Sequence, residues 1–205
     1  MINDVVVGFL AGGLARRLGG IDKCLIEIAD KPILNWQLEK TAHFPNRILN
    51  ANGEIERFSK FNLAIIPDVI DGYFGPLCGV LSMMQYTKKH IPFAKWLLSC
   101  ATDAPFIPDD LGERLYSKSL ASNADIAMAS SNGRHHPVFC LWNIELADAL
   151  EEAILEQEIR KIDLFTARYK TVYEDFSADP DPFLNINTQQ DIDYAHKIVK
   201  STNQA

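Results

Sequence analysis

The sequence predicts an α/β fold in which a mostly parallel central sheet lies between layers of helices. Short β-rich runs alternate with amphipathic stretches along the first half of the chain, as they do in parallel sheets covered by helices. At 205 residues the chain can bury one substantial core, whereas two ordinary domains would be cramped. We therefore expect a single domain over residues 1–205.

The first half contains four predicted strands and four predicted helices. Apolar runs indicate strands over 5–10, 47–49, 63–66 and 96–100. Helical spacing of apolar residues indicates helices over 33–38, 54–60 and 80–86 and from Asp109 onward. Pro32 is expected in a first helical turn, and 75–79 is expected to form a turn before the third helix.

The second half continues the pattern with strands over 125–129, 137–142 and 169–173 and helices over 144–156 and 189–200. The last helix has a recognisable start. Thr188 is followed three residues later by Asp191, which resembles a capping box with a shorter acid.

The composition excludes several functional classes. A net charge of −7 disfavours general binding to nucleic acid or to an anionic membrane. The four cysteines form no C-x-x-C pair, so neither a zinc site nor a disulfide framework is indicated. We find no signal peptide and no run near the about 20 apolar residues of a membrane helix, and we expect a cytoplasmic protein.

A glycine-rich segment follows the first strand and carries three cations. Residues 10–23 include Gly12 and Gly13 and end at Lys23, and they match neither a P-loop nor G-x-G-x-x-G. Glycines let backbone amides approach phosphate, and cations offset its charge. A tight turn with solvated arginines explains the segment equally well, and both interpretations stay open here.

Polar residues also stand where three further strands end. These are Asn50, Asp68 and Asp103. Each one alone is more often a cap or turn residue. Together with Gly12 they would converge on the carboxyl edge of the sheet, where ligands bind in open α/β folds. The sequence therefore predicts a nucleotide site there, with Asp103 able to hold Mg²⁺.

Two weaker signals come later in the chain. His135 and His136 are adjacent and lack carboxylate or cysteine partners at ligand spacing, which is more typical of surface residues than of a metal site. Asn185 and Asn187 precede the last helix and could form turns or read the edge of a heterocycle.

In order along the chain, these motifs resemble the molybdenum cofactor guanylyltransferase (MobA) family. The motifs are Leu10-Ala11-Gly12-Gly13, Arg17, Gly19, Asp22-Lys23, Asn50-Ala51-Asn52, Pro67-Asp68, Gly75-Pro76-Leu77-Cys78-Gly79, Asp103-Ala104-Pro105-Phe106, His136-Pro137 and Asn185-Ile186-Asn187-Thr188. They cover nearly the whole chain. At Leu14, Leu18 and Cys78 the sequence differs from the residues that are usual in the family, and none of these three is an expected ligand.

The resemblance implies a Rossmann-like three-layer nucleotidyltransferase fold and Mg²⁺-dependent transfer of GMP from GTP to molybdopterin, with release of pyrophosphate. It implies Lys23 and Asp103 as catalytic residues and Asp103 as the metal ligand. Binding residues implied for the substrates are Leu10, Ala11, Gly12, Gly13, Lys23, Asn50, Asp68, Asp103, Asn185 and Asn187, the two asparagines lying toward molybdopterin.

Charge neutralisation and positioning would suffice for such a transfer, so no covalent protein residue is required. Expected partners are GTP, the molybdopterin cofactor, cofactor-insertion proteins and recipient molybdoenzymes. The open alternatives are a cytidylyltransferase for the same cofactor, a more distant sugar-1-phosphate nucleotidyltransferase, and a non-catalytic GTP-binding chaperone that hands on the cofactor.

Overall fold

The computed structural model of the protein describes residues 2–12, 14–15, 21–70 and 75–202. Its strands are β1 (Val5–Leu10), β2 (Leu14–Ala15), β3 (Ile21–Asp22), β4 (Glu27–Ile28), β5 (Lys31–Pro32), β6 (Asn46–Asn50), β7 (Ala64–Ile66), β8 (Trp96–Ala101), β9 (Ile126–Ser131), β10 (Arg134–Asn143) and β11 (Thr171–Asp175).

The α-helices are α1 (Ile33–Lys40), α2 (Pro76–His90), α3 (Leu111–Ser122), α4 (Ala147–Leu155), α5 (Ile162–Thr166) and α6 (Gln189–Thr202). Short 3-10 helices cover Lys23–Leu25, Ile55–Phe61 and Ile144–Leu146. Within the described ranges, no helix has the length and apolar character needed to cross a membrane.

A seven-stranded sheet in the order β11-β9-β10-β8-β1-β6-β7 forms the centre of the molecule. Only β10 runs antiparallel to its neighbours in this sheet, so the expected mostly parallel sheet is confirmed. In the middle strand, Leu10 lies opposite both Asn50 of β6 and Ala101 of β8. The carboxyl ends of three neighbouring strands are therefore level with one another.

Helices cover both faces of the sheet because alternate side chains of each strand point to opposite faces. Val5, Val7 and Phe9 of β1 join a buried cluster that includes Leu34 of α1 and residues of α3. Val6 joins a separate cluster built with α2, α4 and α5. The expected three-layer architecture is confirmed.

The local structure differs from the expectation most clearly at the start of α2. The segment expected to be a turn over 75–79 is mostly helix, because α2 begins at Pro76, where a fixed φ suits the first helical turn. Gly75 precedes it at φ +69°, a conformation that favours glycine. The helical segment expected over 54–60 is present as the 3-10 helix Ile55–Phe61. The single-turn helix α5 was not expected from the sequence, because it spans only five residues.

The capping box at the start of α6 is confirmed. Asp191 Oδ2 accepts hydrogen bonds from Thr188 N at 2.8 Å and Asn187 N at 2.9 Å, while Asp191 N donates to Thr188 Oγ1 at 3.3 Å. Burial alone would raise the pKa of Asp191, but these hydrogen bonds outweigh it and lower the pKa. The box anchors the segment that carries Asn187.

Replacing Asp191 with alanine should lower the free energy of unfolding at neutral pH by about 1 kcal/mol, the usual cost of losing a helix cap. Because the folded-state pKa is lowered, this contribution is present above the unfolded pKa of about 3.9 and is lost as the pH falls through the folded value. Chemical denaturation of both proteins across this pH range measures it.

Asp193→Ala is the matched control, because Asp193 lies on the same helix and contacts only the exposed Gln189 amide among its hydrogen-bond partners in the described chain. Equal losses in the two variants, or a difference from wild type that grows in acid, would contradict the role given to the capping box.

Candidate active site

The carboxyl ends of β1, β6 and β8 are joined by hydrogen bonds that continue past the strands. Thr102 donates to Leu10 O through both its backbone N, at 3.4 Å, and its hydroxyl, at 2.9 Å. Ala11 N donates to Asn50 O at 2.9 Å. The residues that follow these strands are therefore held at one edge of the sheet.

Lys23 lies at this edge between two acceptors from distant parts of the chain. Its ammonium group donates to Asp103 Oδ2 at 3.1 Å and to Asn187 Oδ1 at 2.5 Å. The side chains of Lys23 and Asp103 are 20% and 19% exposed, so the pair is sheltered but still accessible to a ligand. Ile186 N also donates to Asp103 O at 2.7 Å, which fixes the Asn187 segment against the end of β8.

Gln37 holds the turn that presents Asp103. This side chain is fully buried, and its amide nitrogen donates to Ala101 O and Ala104 O, both at 2.7 Å. The sequence did not identify Gln37 as part of the site. Its one visible signal was a polar residue on the otherwise apolar face of α1.

Asp103 retains one unused acceptor. Its Oδ1 atom is buried and has no hydrogen-bond partner among the residues that the structure describes. A buried carboxylate oxygen without a partner is costly, so such an atom is normally paired when its ligand is present. Asp103 thus has an oxygen free to accept a cation or a donor group.

Asp68 differs from Asp103 because both of its carboxylate oxygens accept hydrogen bonds. Oδ1 accepts from Asn50 Nδ2 at 2.9 Å, and Oδ2 accepts from Asn52 Nδ2 at 2.8 Å. Asp68 N returns a bond to Asn52 Oδ1 at 2.8 Å. Asn52, which the sequence placed in a motif without a role, therefore fixes the orientation of Asp68.

Helix α2 approaches this edge closely because of Gly79. A Cβ atom at Gly79 would lie 2.2 Å from Asn50 Oδ1 and 2.6 Å from Leu10 Cδ2, distances that no side chain tolerates. At Gly12, by contrast, a Cβ would meet no described atom within 4 Å. As far as the described residues go, the space beside Gly12 is therefore open, whereas Gly79 is needed for packing.

The structure brings together most of the residues that the sequence singled out. The shared edge holds Leu10, Ala11, Gly12, Lys23, Asn50, Asp68 and Asp103. Asn187 joins them through its hydrogen bond with Lys23. Asn185 is exposed beside this group. Gly13 lies outside the described residues, as do Arg16, Arg17 and Gly19, so their expected contributions stay predictions.

His136 belongs to a separate polar group on the β9–β10 side of the same edge. Its Nε2 lies 2.7 Å from Ser131 Oγ, and the Ser131 hydroxyl donates to Asp181 Oδ1 at 2.9 Å. Burial lowers the pKa of the His136 ring. Since Ser131 is fully buried and gives its proton to Asp181, this group lacks the arrangement of a nucleophilic triad.

Comparison with known proteins agrees with this geometry. Residues 7–171 match the model of the MobA-like NTP transferase domain family. A molybdenum cofactor guanylyltransferase of Rhodopseudomonas palustris strain BisB5 is 46% identical over 191 residues, which are 92% of this chain and 91% of that protein. The protein of the same name from Shewanella sediminis is 39% identical, with 91% of this chain and 92% of that protein covered.

A solved structure supports the same assignment. Molybdopterin-guanine dinucleotide biosynthesis protein A of Archaeoglobus fulgidus superposes with a TM-score of 0.78 at 26% identity, over 95% of this chain and 98% of that one. Family model, relatives and structure agree along most of the chain. The protein therefore belongs to the MobA-like NTP transferase family and, within it, to the molybdenum cofactor guanylyltransferases.

Proposed function

We propose that this protein transfers GMP from GTP to the terminal phosphate of the molybdopterin form of the molybdenum cofactor, releasing pyrophosphate. The observation that carries the proposal is the meeting of Lys23 and Asp103 at the carboxyl edge of β1 and β8. The names of the most similar relatives support this choice of substrates.

In this reaction an oxygen of the molybdopterin phosphate attacks the α-phosphorus of GTP. The bond from the α-phosphorus to the oxygen that bridges it to the β-phosphorus breaks, and this oxygen leaves as part of pyrophosphate. Both reactants are anions, so the main barrier that the protein can lower is their repulsion and misalignment. Among the described residues, Lys23 is a cation at the edge that is suited to contact the phosphates. No covalent intermediate is needed, in keeping with the four buried cysteines and the buried Ser131.

Asp103 is the residue that fits a magnesium ion. Its free Oδ1 suits a hard cation, whereas both oxygens of Asp68 are already taken by amides. Within the described chain no group of three potential ligands gathers around it, which agrees with the usual preference of Mg²⁺ for one or two carboxylates, water and substrate phosphates. Once bound, the ion would offset charge on the phosphates.

The nucleoside of GTP would then bind at the other half of the edge, on the side of β1 and β6. Lys23 and Asp103 would bind the phosphates and their metal ion. The nucleoside would therefore contact Leu10, Ala11 and Gly12, with Asn50 and Asp68 beyond them. No described atom would contact a Cβ at Gly12, which leaves space there among the described residues. The network fixes the orientation of Asp68, and each of its oxygens keeps a second lone pair that can accept from a base or sugar.

Asn185 and Asn187 are the residues we assign to the molybdopterin side, together with the β9–β10 end of the edge. Asn187 also contacts Lys23, so it lies where the two substrates would meet. We place the reaction in the cytoplasm, in line with four free cysteines. Cofactor-insertion proteins and recipient molybdoenzymes would take up the product.

The proposal is tested by incubating the protein with Mg²⁺, molybdenum-bound molybdopterin and each of the four nucleoside triphosphates in turn. We expect pyrophosphate and the guanine dinucleotide with GTP alone. Comparable turnover with CTP would assign a cytidylyltransferase instead. GTP binding without pyrophosphate release would favour a carrier of the cofactor.

Asp103→Asn separates a metal ligand from a turn residue. Asparagine keeps the size and turn-forming ability of the side chain but removes the charge that Mg²⁺ requires. We expect turnover to fall by about two orders of magnitude or more, with the magnesium requirement shifted to higher concentration and little change in melting temperature.

Asp109→Asn is the control, because Asp109 lies six residues further on and forms an exposed ion pair with Lys40. It should match wild type throughout a magnesium titration of pyrophosphate release. An Asp103→Asn variant that also matches wild type would remove Asp103 from the metal site.

Gly79→Ala should weaken GTP binding by about tenfold. The new methyl group must displace Asn50 or push α2 outward. The loss of one charge-assisted contact weakens binding by roughly this factor. Calorimetric titration with GTP measures the change. Gly112→Ala imposes a comparable clash in the core, where its Cβ would lie 2.4 Å from Phe44 Cζ. That variant should lose stability but retain GTP affinity, and the reverse pattern would contradict the role of Gly79.

A further inference from the structure

Arg57 connects two segments of the site, one at Asp22 and the other at Asn52. Its Nε donates to Asp22 Oδ2 at 2.6 Å, and its Nη2 lies 3.5 Å from Asp22 Oδ1. The same Nη2 donates to Asn52 O at 2.8 Å, and Nη1 donates to Glu54 O. The guanidinium group also lies over the ring of Phe58, 4.4 Å from its centroid.

One end of this connection controls Lys23. Asp22 directly precedes Lys23, and its side chain is only 11% exposed. Asp22 also pairs with Leu14 in the β2–β3 ladder. A carboxylate this sheltered depends on its cationic partner, so the Arg57 pair fixes the backbone from which Lys23 reaches Asp103.

The other end controls Asp68. Arg57 holds the backbone carbonyl of Asn52, and the Asn52 side chain exchanges two hydrogen bonds with Asp68, both at 2.8 Å. Asn52 is exposed, so without a second anchor its side chain would be free to move away from Asp68. The planar guanidinium, with several donors in one plane, suits such a double anchor better than a lysine would.

We propose that Arg57 is a positioning residue for the nucleotide site: it sets the separation between Lys23 on the phosphate side and Asp68 on the nucleoside side without touching the nucleotide. This inference rests on the proposed function, because it takes both residues as GTP contacts. It adds a positioning element that lies outside the edge itself, on the 3-10 helix Ile55–Phe61.

The structure offers a matched control on the same helix. Lys60 is exposed and lies over the ring of Phe61 at 5.2 Å, as Arg57 lies over Phe58. Within the part of the chain that the structure describes, Lys60 makes no hydrogen bond or ion pair with the edge. Arg57→Ala and Lys60→Ala therefore remove comparable helix contacts, but only the first disconnects Asp22 from Asn52.

The test measures GTP affinity by calorimetry and steady-state kinetics in these two variants and in Arg57→Lys. We expect Arg57→Ala to bind GTP about tenfold more weakly, with a larger loss in kcat/KM, the loss of one charge-assisted contact being of this order. Arg57→Lys should recover part of the loss, and Lys60→Ala should match wild type. Near-normal affinity and kcat/KM in a folded Arg57→Ala would overturn the inference.

A double-mutant cycle with Lys23→Ala distinguishes positioning from general stabilisation. If Arg57 acts partly through Lys23, the double variant should lose less GTP affinity than the two single losses multiplied together. Independent, multiplicative losses would contradict the inference. Should Arg57→Ala not fold, Asp22→Asn breaks the ion pair at the Lys23 end while Arg57 still holds Asn52 O. It should show part of the GTP-affinity loss and the same coupling to Lys23→Ala, and normal affinity in this variant would overturn the inference.

Failure of this inference differs from failure of the proposed function. If wild-type protein binds GTP and releases pyrophosphate but Arg57→Ala equals wild type, only the role of Arg57 is lost. If wild-type protein neither binds GTP nor releases pyrophosphate, the proposed function is lost together with the inference.

Discussion

The chemistry of this protein depends on one constraint, which is the parallel pairing of β1 with β6 on one side and β8 on the other. The pairing sets Leu10 level with Asn50 and Ala101. Backbone bonds from Thr102 and Ala11 then carry the alignment past the strands. Because of this alignment, Asp103 and Asn50 come to one edge although 53 residues of the sequence separate them, and Lys23 can bridge from the glycine-rich segment.

The parts of the site that follow directly from strand ends were predictable from the sequence. Asn50, Asp68 and Asp103 each come just after a short apolar run, and β–α alternation places such positions on the same edge. The sheet, its helix layers and the capping box at Thr188 were predictable for the same reason: periodicity and capping are local properties of the chain.

Long-range contacts were not predictable in this way. Nothing local to Lys23 indicates that its ammonium group meets Asn187, 164 residues away. Gln37 and Arg57 carry no motif, and their importance is visible only once the turn at Asp103 and the carboxylate of Asp22 are in place. The start of α2 at Pro76 was also missed, because a Gly-Pro pair suits a turn and a helix start equally well.

The central claim is that Lys23 and Asp103 mark the place where the triphosphate and its metal bind. A crystal structure of the protein with Mg²⁺ and a non-hydrolysable GTP analogue tests it most directly. We expect the triphosphate beside Lys23, the ion on Asp103, and the nucleoside between Leu10 and Asp68. A nucleotide bound elsewhere on the protein, or a metal ion with no contact to Asp103, would contradict it.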